Sequence, residues 1–119
     1  MAGIKTFRDL IIWQKSMTLV TEMYSVTADF PSSELYGLTN QMRRCAVSTP
    51  SNIAEGYRRK SSGDYKRFLQ IAVASSFELQ TQPEIAFNLK SLLHDVFKDL
   101  LAKTSELEVM TFSLIKKIN

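Results

Sequence analysis

Apolar residues recur every three or four positions through four successive stretches of the 119-residue chain, and no stretch of any length alternates apolar with polar. That period is helical, so the sequence predicts an all-α protein. The stretches are separated by Phe30-Pro31-Ser32-Ser33, by Lys60-Ser61-Ser62-Gly63 and by Asn88-Leu89-Lys90-Ser91, all short. Short turns join antiparallel neighbours. The expected fold is an antiparallel up-down four-helix bundle, a single domain over residues 1–119 with helices near 9–28, 33–58, 63–88 and 93–117.

The first helix opens on Thr6-Phe7-Arg8-Asp9, a capping-box variant. Leu10, Trp13, Met17, Val20, Tyr24 and Thr27 form its expected inner stripe, with Ile12, Leu19, Met23 and Val26 as a second stripe beside it. Two adjacent stripes imply contact with more than one neighbour, as at a subunit interface. Helix 3 is read inward at Tyr65, Phe68, Leu69, Ala72, Ser76, Leu79, Pro83, Ala86 and Leu89, and its Ala72–Ser76 run of small residues allows a close neighbour. Pro83 predicts a kink or an early end near Thr81. Helix 4 is read inward at Leu93, Phe97, Leu100, Thr104, Leu107, Leu114 and Ile118.

The second helix carries the least ordinary stretch, Gln41 to Gly56. Leu35, Leu38, Met42, Cys45 and Ile53 are expected to face inward, but Pro50 interrupts the pattern. Proline lacks the amide proton and crowds the carbonyl four residues back, so a kinked second helix is expected at Pro50. Gln41, Pro50, Asn52, Glu55, Gly56 and, across the bundle, Glu78 are read as a structural polar motif fixing that bend. A catalytic role for Glu55 and Glu78 is the weaker reading, because no His, Lys or reactive Cys accompanies them. A single Cys and a single His exclude a Cys/His metal centre within one chain, and no phosphate loop, nucleophile elbow or other cofactor motif is present. Catalytic, metal and cofactor assignments are therefore none.

Charge supplies the functional signal. Between Arg43 and Arg67 stand seven cations, Arg43, Arg44, Arg58, Arg59, Lys60, Lys66 and Arg67, against Glu55 and Asp64, a local charge of +5 in a chain of net +3. Basic side chains neutralise phosphates, and Tyr57 and Tyr65 flank the cluster where they could stack on bases. The competing reading is a solvated helix end that compensates the dipole. No apolar run reaches the roughly 18 residues of a membrane span, and the N-terminus lacks a signal-peptide core, so a cytoplasmic protein without membrane contact is expected.

Phe7-Arg8-Asp9-Leu10 with Trp13-Gln14-Lys15, Phe30-Pro31, Glu34, Tyr36-Gly37-Leu38, Gln41, Arg43-Arg44, Ser48, Pro50 and Asn52-Ile53-Ala54-Glu55-Gly56 resemble the four-helix bundle family of 23S rRNA intervening-sequence proteins. Phe68-Leu69, Ile71-Ala72, Ser75 and Glu78-Leu79 extend the resemblance, and Pro83 and Lys90-Ser91 depart from it. It implies a bacterial protein of largely unassigned function that forms a homopentameric ring, with no enzymatic activity. It is also similar to the accessory variability determinants of diversity-generating retroelements, which implies nucleic-acid binding and a reverse transcriptase as partner. Two functions are thus expected: a non-catalytic, homo-oligomeric binder of RNA or DNA using the basic residues, or an oligomeric scaffold that docks a protein partner such as a reverse transcriptase.

Overall fold

The Thr6 hydroxyl accepts the Arg8 amide at 3.1 Å while Asp9 accepts the Thr6 and Lys5 amides at 3.0 and 2.9 Å, closing a short 3-10 turn, Phe7–Asp9. These amides hold the Asp9 carboxyl below its usual pKa. Leu10 is extended, and α1 follows as Ile11–Thr27. The computed structural model describes residues 3–119; residues 1 and 2 of the expected domain lie outside the described residues. After Phe30-Pro31 come a 3-10 turn, Ser32–Glu34, and a π-helical turn, Leu35–Thr39, leading into α2, Asn40–Tyr57. Then α3, Ser62–Asn88, is capped by Ser61, whose hydroxyl accepts the Asp64 amide at 3.1 Å, and α4 is His94–Lys117. Among the described residues there is no strand.

Each helix packs on the next in chain order, and α4 returns to α1. Side-chain pairs between neighbours run in opposite directions. Arg43 meets Thr27; Cys45 and Ser48 meet Glu78 and Ser75; Ser76 meets Glu108; and Glu22 and Lys15 meet Lys103 and Glu106. Met23, Met42, Ile53, Leu69, Leu79, Leu100 and Leu107 fill the centre with almost no exposure. Each such side chain contributes about 1.5–3 kcal/mol by leaving water.

Several phase expectations need correction. In α1 the inner face is Ile12, Ser16, Leu19, Met23 and Thr27, whereas Met17 and Tyr24 of the expected inner stripe are exposed and Trp13 and Val20 only half-buried. The true inner face includes two hydroxyl residues, which weaken its apolar signature. Both are satisfied locally, Ser16 by the Trp13 carbonyl at 2.9 Å and Thr27 by the Met23 carbonyl at 2.6 Å. Leu35, Leu89 and Leu93 are exposed because each lies at a helix boundary, where the helical phase ends.

Neither proline ends its helix. The second helix runs unbroken through Pro50, and the third continues five residues beyond Pro83 to Asn88, so the early end expected near Thr81 does not occur. Non-helical backbone falls at Gly37, with φ −110° and ψ −112°, within the π turn that feeds α2. At the α3–α4 turn, Lys90 adopts φ +64°, and the Ser91 and Lys90 amides reach the Ala86 and Phe87 carbonyls, each at 2.9 Å. That is a Schellman closure with lysine in the left-handed position that favours glycine.

Candidate nucleic-acid interface

The basic window does not form one surface. Arg43 and Arg44 lie in the first turns of α2, and Arg58 directly follows its end, about 22 Å away at 1.5 Å per helical residue. Because α3 returns antiparallel, Lys66 and Arg67 join Arg58, Arg59 and Lys60 at the far end of the bundle. The seven cations thus divide into two and five.

Arg43 is held by the fold. Its Nε donates to Thr27 Oγ1 at 2.8 Å and its guanidinium lies 4.7 Å from the Tyr24 ring centroid. Arg44, one residue on, is exposed. Together with Tyr24, Asn40, Val47 and Ser48 they line an open cleft of about 480 Å³.

The larger group gathers at the α2–α3 turn, and two of its members meet Phe68. Arg59 and Arg67 place their guanidiniums 4.6 and 4.7 Å from that one ring, a sequence relation nothing in the periodicity announced. Phe68 approaches α2 closely because Gly56 leaves room: a Cβ there would lie 2.6 Å from Phe68 Cβ and 3.3 Å from the Tyr65 carbonyl oxygen. Gly56 is therefore a packing residue inside α2. Arg59 also donates to Glu55 Oε1 at 2.7 Å, and Arg67 Nε lies 3.7 Å from Asp64 Oδ1. Arg58 and Lys60 are exposed and Lys66 is half-buried. Tyr57 and Tyr65 meet each other edge to face at 6.1 Å and are half-buried. Burial also raises the Tyr65 phenol above its ordinary pKa.

The polar motif is likewise rearranged. Asn52 does not pair with Glu55; its amide donates to the Ser48 carbonyl at 2.8 Å and the Ser48 hydroxyl at 3.0 Å. Ser48 in turn meets the Ser75 hydroxyl at 2.9 Å, tying α2 to α3 beside Pro50. One turn away Cys45 donates its thiol to Glu78 Oε2 at 3.0 Å and receives Gln82 Nε2 at 3.4 Å. Burial first, then the Glu78 bond, pushes the Cys45 thiol up to about 11, so it is protonated at neutral pH. Glu55 and Glu78 do not face each other: Glu78 sits beside Cys45, ten positions or about 15 Å along α2 from Glu55. Gln41 is exposed.

Glu108 and Gln82 are among the buried polar residues that escaped the sequence reading. Glu108 accepts from Ser76 at 3.0 Å and from Gln80 at 2.7 Å, joining α3 to α4, and Gln82 is buried beside Cys45. Glu108 falls at the helical spacing of Leu100, Thr104 and Thr111, which was the available signal.

A profile of 23S rRNA-intervening sequence proteins matches residues 8–113. The chain belongs to that family. The match runs from the Phe7–Asp9 turn through most of α4, including the part of the chain where the quoted motifs were thinnest. Among solved structures, the chain is similar to one from Bacteroides thetaiotaomicron described as a protein of unknown function from the S23 ribosomal protein family. The two superpose with a TM-score of 0.80 at 18% identity, over 89% of this chain and 99% of that one. At that identity the likeness is one of fold. No curated protein matches the chain. Among the described residues of this 23S rRNA-intervening sequence protein, no helix is long and apolar enough to cross a membrane.

Proposed function

We propose that this 23S rRNA-intervening sequence protein is a non-catalytic, homo-oligomeric RNA-binding module that grips phosphates with the α2–α3 end of its bundle. The observation that carries this reading is the gathering of Arg58, Arg59, Lys60, Lys66 and Arg67 around one turn, with two guanidiniums set on Phe68. Stacking on a ring fixes a guanidinium's plane and leaves its edge free for a bidentate phosphate contact. Glu55 and Asp64 compete for Arg59 and Arg67, but exposed ion pairs are worth only about 0.2–1 kcal/mol. A polyanion displaces such pairs readily. Arg43 and Arg44, at the other end, contribute less to the same ligand.

The non-catalytic part rests on the carboxylates. Glu55 is held by Arg59, Glu78 accepts a neutral thiol, and the two are too far apart to act on one bond.

Fluorescence anisotropy with mixed-sequence single-stranded RNA, repeated across a salt series, tests the reading. Affinity should fall with salt by a log–log slope of about −0.7 per phosphate neutralised. The triple variant R58A/R59A/K60A should weaken binding for every sequence alike and flatten that slope, whereas R44A should change it little. Binding indifferent to salt, or untouched in the triple variant, would overturn the proposal.

A further inference from the structure

Arg43 and Arg44 differ from the stacked arginines of the α2–α3 turn in their surroundings. Among the described residues no carboxylate lies within ion-pair distance of either, whereas Arg59 is held by Glu55 and Arg67 lies beside Asp64. Nor is any residue lining their cleft acidic. The α2 side of the cleft is one helical stripe, Asn40, Arg43, Arg44, Val47 and Ser48, at successive spacings of three, one, three and one. Tyr24 of α1 closes it from the other side.

Arg43 is fixed before any ligand arrives. The buried Thr27 hydroxyl gives its proton to the Met23 carbonyl at 2.6 Å, which leaves its oxygen to accept the Arg43 Nε–H at 2.8 Å. The guanidinium also rests 4.7 Å from the Tyr24 ring centroid. With Nε engaged, the Nη1–Nη2 edge remains, two donors side by side that match two oxygens of one anion. A donor pair held in place by the fold loses little entropy on binding. Arg44, one residue on and exposed, brings a second full positive charge to the same cleft.

Charge and oxygen count select the anion. A carboxylate has one charge and two oxygens, which the Arg43 fork alone satisfies. A phosphodiester within a strand also carries a single charge. A phosphate monoester carries about −1.5 to −2 charges at neutral pH and three free oxygens, enough for both guanidiniums. The cleft of about 480 Å³ leaves room for an organic part, since small-ligand sites span about 300–1,000 Å³. Val47 and Tyr24, 41% and 44% exposed, give that part an apolar wall, and the exposed Asn40 amide offers it a donor and an acceptor.

We propose that the α1–α2 cleft binds a phosphate monoester with a small organic part, the phosphate clamped by Arg43 and Arg44 and the organic part lying on Tyr24 and Val47. The site is separate from the α2–α3 cluster and stands whether or not that cluster grips RNA. The same dianion occurs on free small molecules and on the 5′ end of a strand.

Isothermal titration calorimetry with adenosine 5′-monophosphate as probe tests the assignment. The monophosphate should bind, and 3′,5′-cyclic AMP, a singly charged diester of the same nucleoside, should bind about 10- to 100-fold more weakly, as should adenosine. Arg44→Ala should weaken the monophosphate by a similar factor, with circular dichroism showing the wild-type melt. Arg43→Lys, which keeps the charge and loses the fork, should also weaken it. R58A/R59A/K60A should bind the monophosphate as wild type does, so that failure of the RNA reading and failure of this one are told apart. In that triple variant, competition by a 5′-phosphorylated oligoribonucleotide, and not by its 5′-hydroxyl twin, would identify strand ends as the source. A monophosphate displaced by neither would identify a free small molecule. No binding of the monophosphate, equal binding of the cyclic diester, full affinity in Arg44→Ala, or equal competition by the two oligonucleotides would each overturn the proposal.

Discussion

Replacing Gly56 by Ala adds one methyl at the closest approach of α2 and α3. The new carbon would stand 2.6 Å from Phe68 Cβ and 3.3 Å from the Tyr65 carbonyl oxygen. Carbon atoms in comfortable contact sit about 3.5–4.0 Å apart, so the helices must part by roughly 1 Å or Phe68 must move. A Cβ belongs to the stiff root of a side chain, and no rotamer change relieves the clash. Overpacking of this kind costs about 1–3 kcal/mol, against which the better helix propensity of Ala returns at most about 1 kcal/mol, less near a helix end. The net loss is about 1–2 kcal/mol, which for a domain of this size lowers the melting temperature by roughly 4–10 °C. Thermal denaturation followed by circular dichroism measures it, with Gly63→Ala as the control. Gly63 has nothing within 4 Å of an added Cβ, so that variant should melt at or above the wild-type temperature. Displacing Phe68 also moves the ring under Arg59 and Arg67, so RNA affinity should drop in Gly56→Ala and not in Gly63→Ala. A Gly56→Ala protein that melts no lower than wild type would refute the reasoning.

Lys90 occupies a left-handed backbone position with φ +64°, so Lys90→Gly should stabilise the fold by about 1 kcal/mol; a lower melting temperature would contradict the strain assigned there. Cys45 should react with iodoacetamide only slowly near neutral pH, with a rate still climbing well above pH 9, since its thiol is pushed up to about 11; a plateau at the ordinary thiol value of 9.0 would show that the thiol is neither buried nor held by Glu78 in solution. The raised folded-state value means the thiol favours folding below its unfolded pKa, and that contribution is lost as pH rises toward about 11. Denaturant titrations should accordingly show the wild type losing more stability than Cys45→Ser across that alkaline range.

The helices and several of the turns between them were legible because they are written locally, although α2 begins at Asn40 and not near residue 33. Thr6 with Asp9, Ser61 with Asp64 and the Asn88–Ser91 turn each act through backbone groups within a few residues, so their spacing suffices to place them. The early end expected near Thr81 misled for a related reason: a local rule allows Pro83 to stop the helix, yet it is buried in a packed helix that continues to Asn88. The polar motif was half legible: Asn52, Ser48 and Ser75 do form a chain across the helices, but Glu55 belongs to Arg59 at the surface and Glu78 to Cys45.

By itself, then, the sequence determined an all-α chain of four helices, their approximate limits and the presence of a basic stretch, because periodicity, caps and composition act over a few residues. Only the tertiary structure decided which of two apolar stripes of α1 entered the core, leaving the other as a groove. It alone divided the basic stretch into a pair in the first turns of α2 and five at the α2–α3 turn, two of them on Phe68. Those outcomes depend on how distant segments rotate and slide against one another, as where the Gly56 backbone lets Phe68 approach α2 closely.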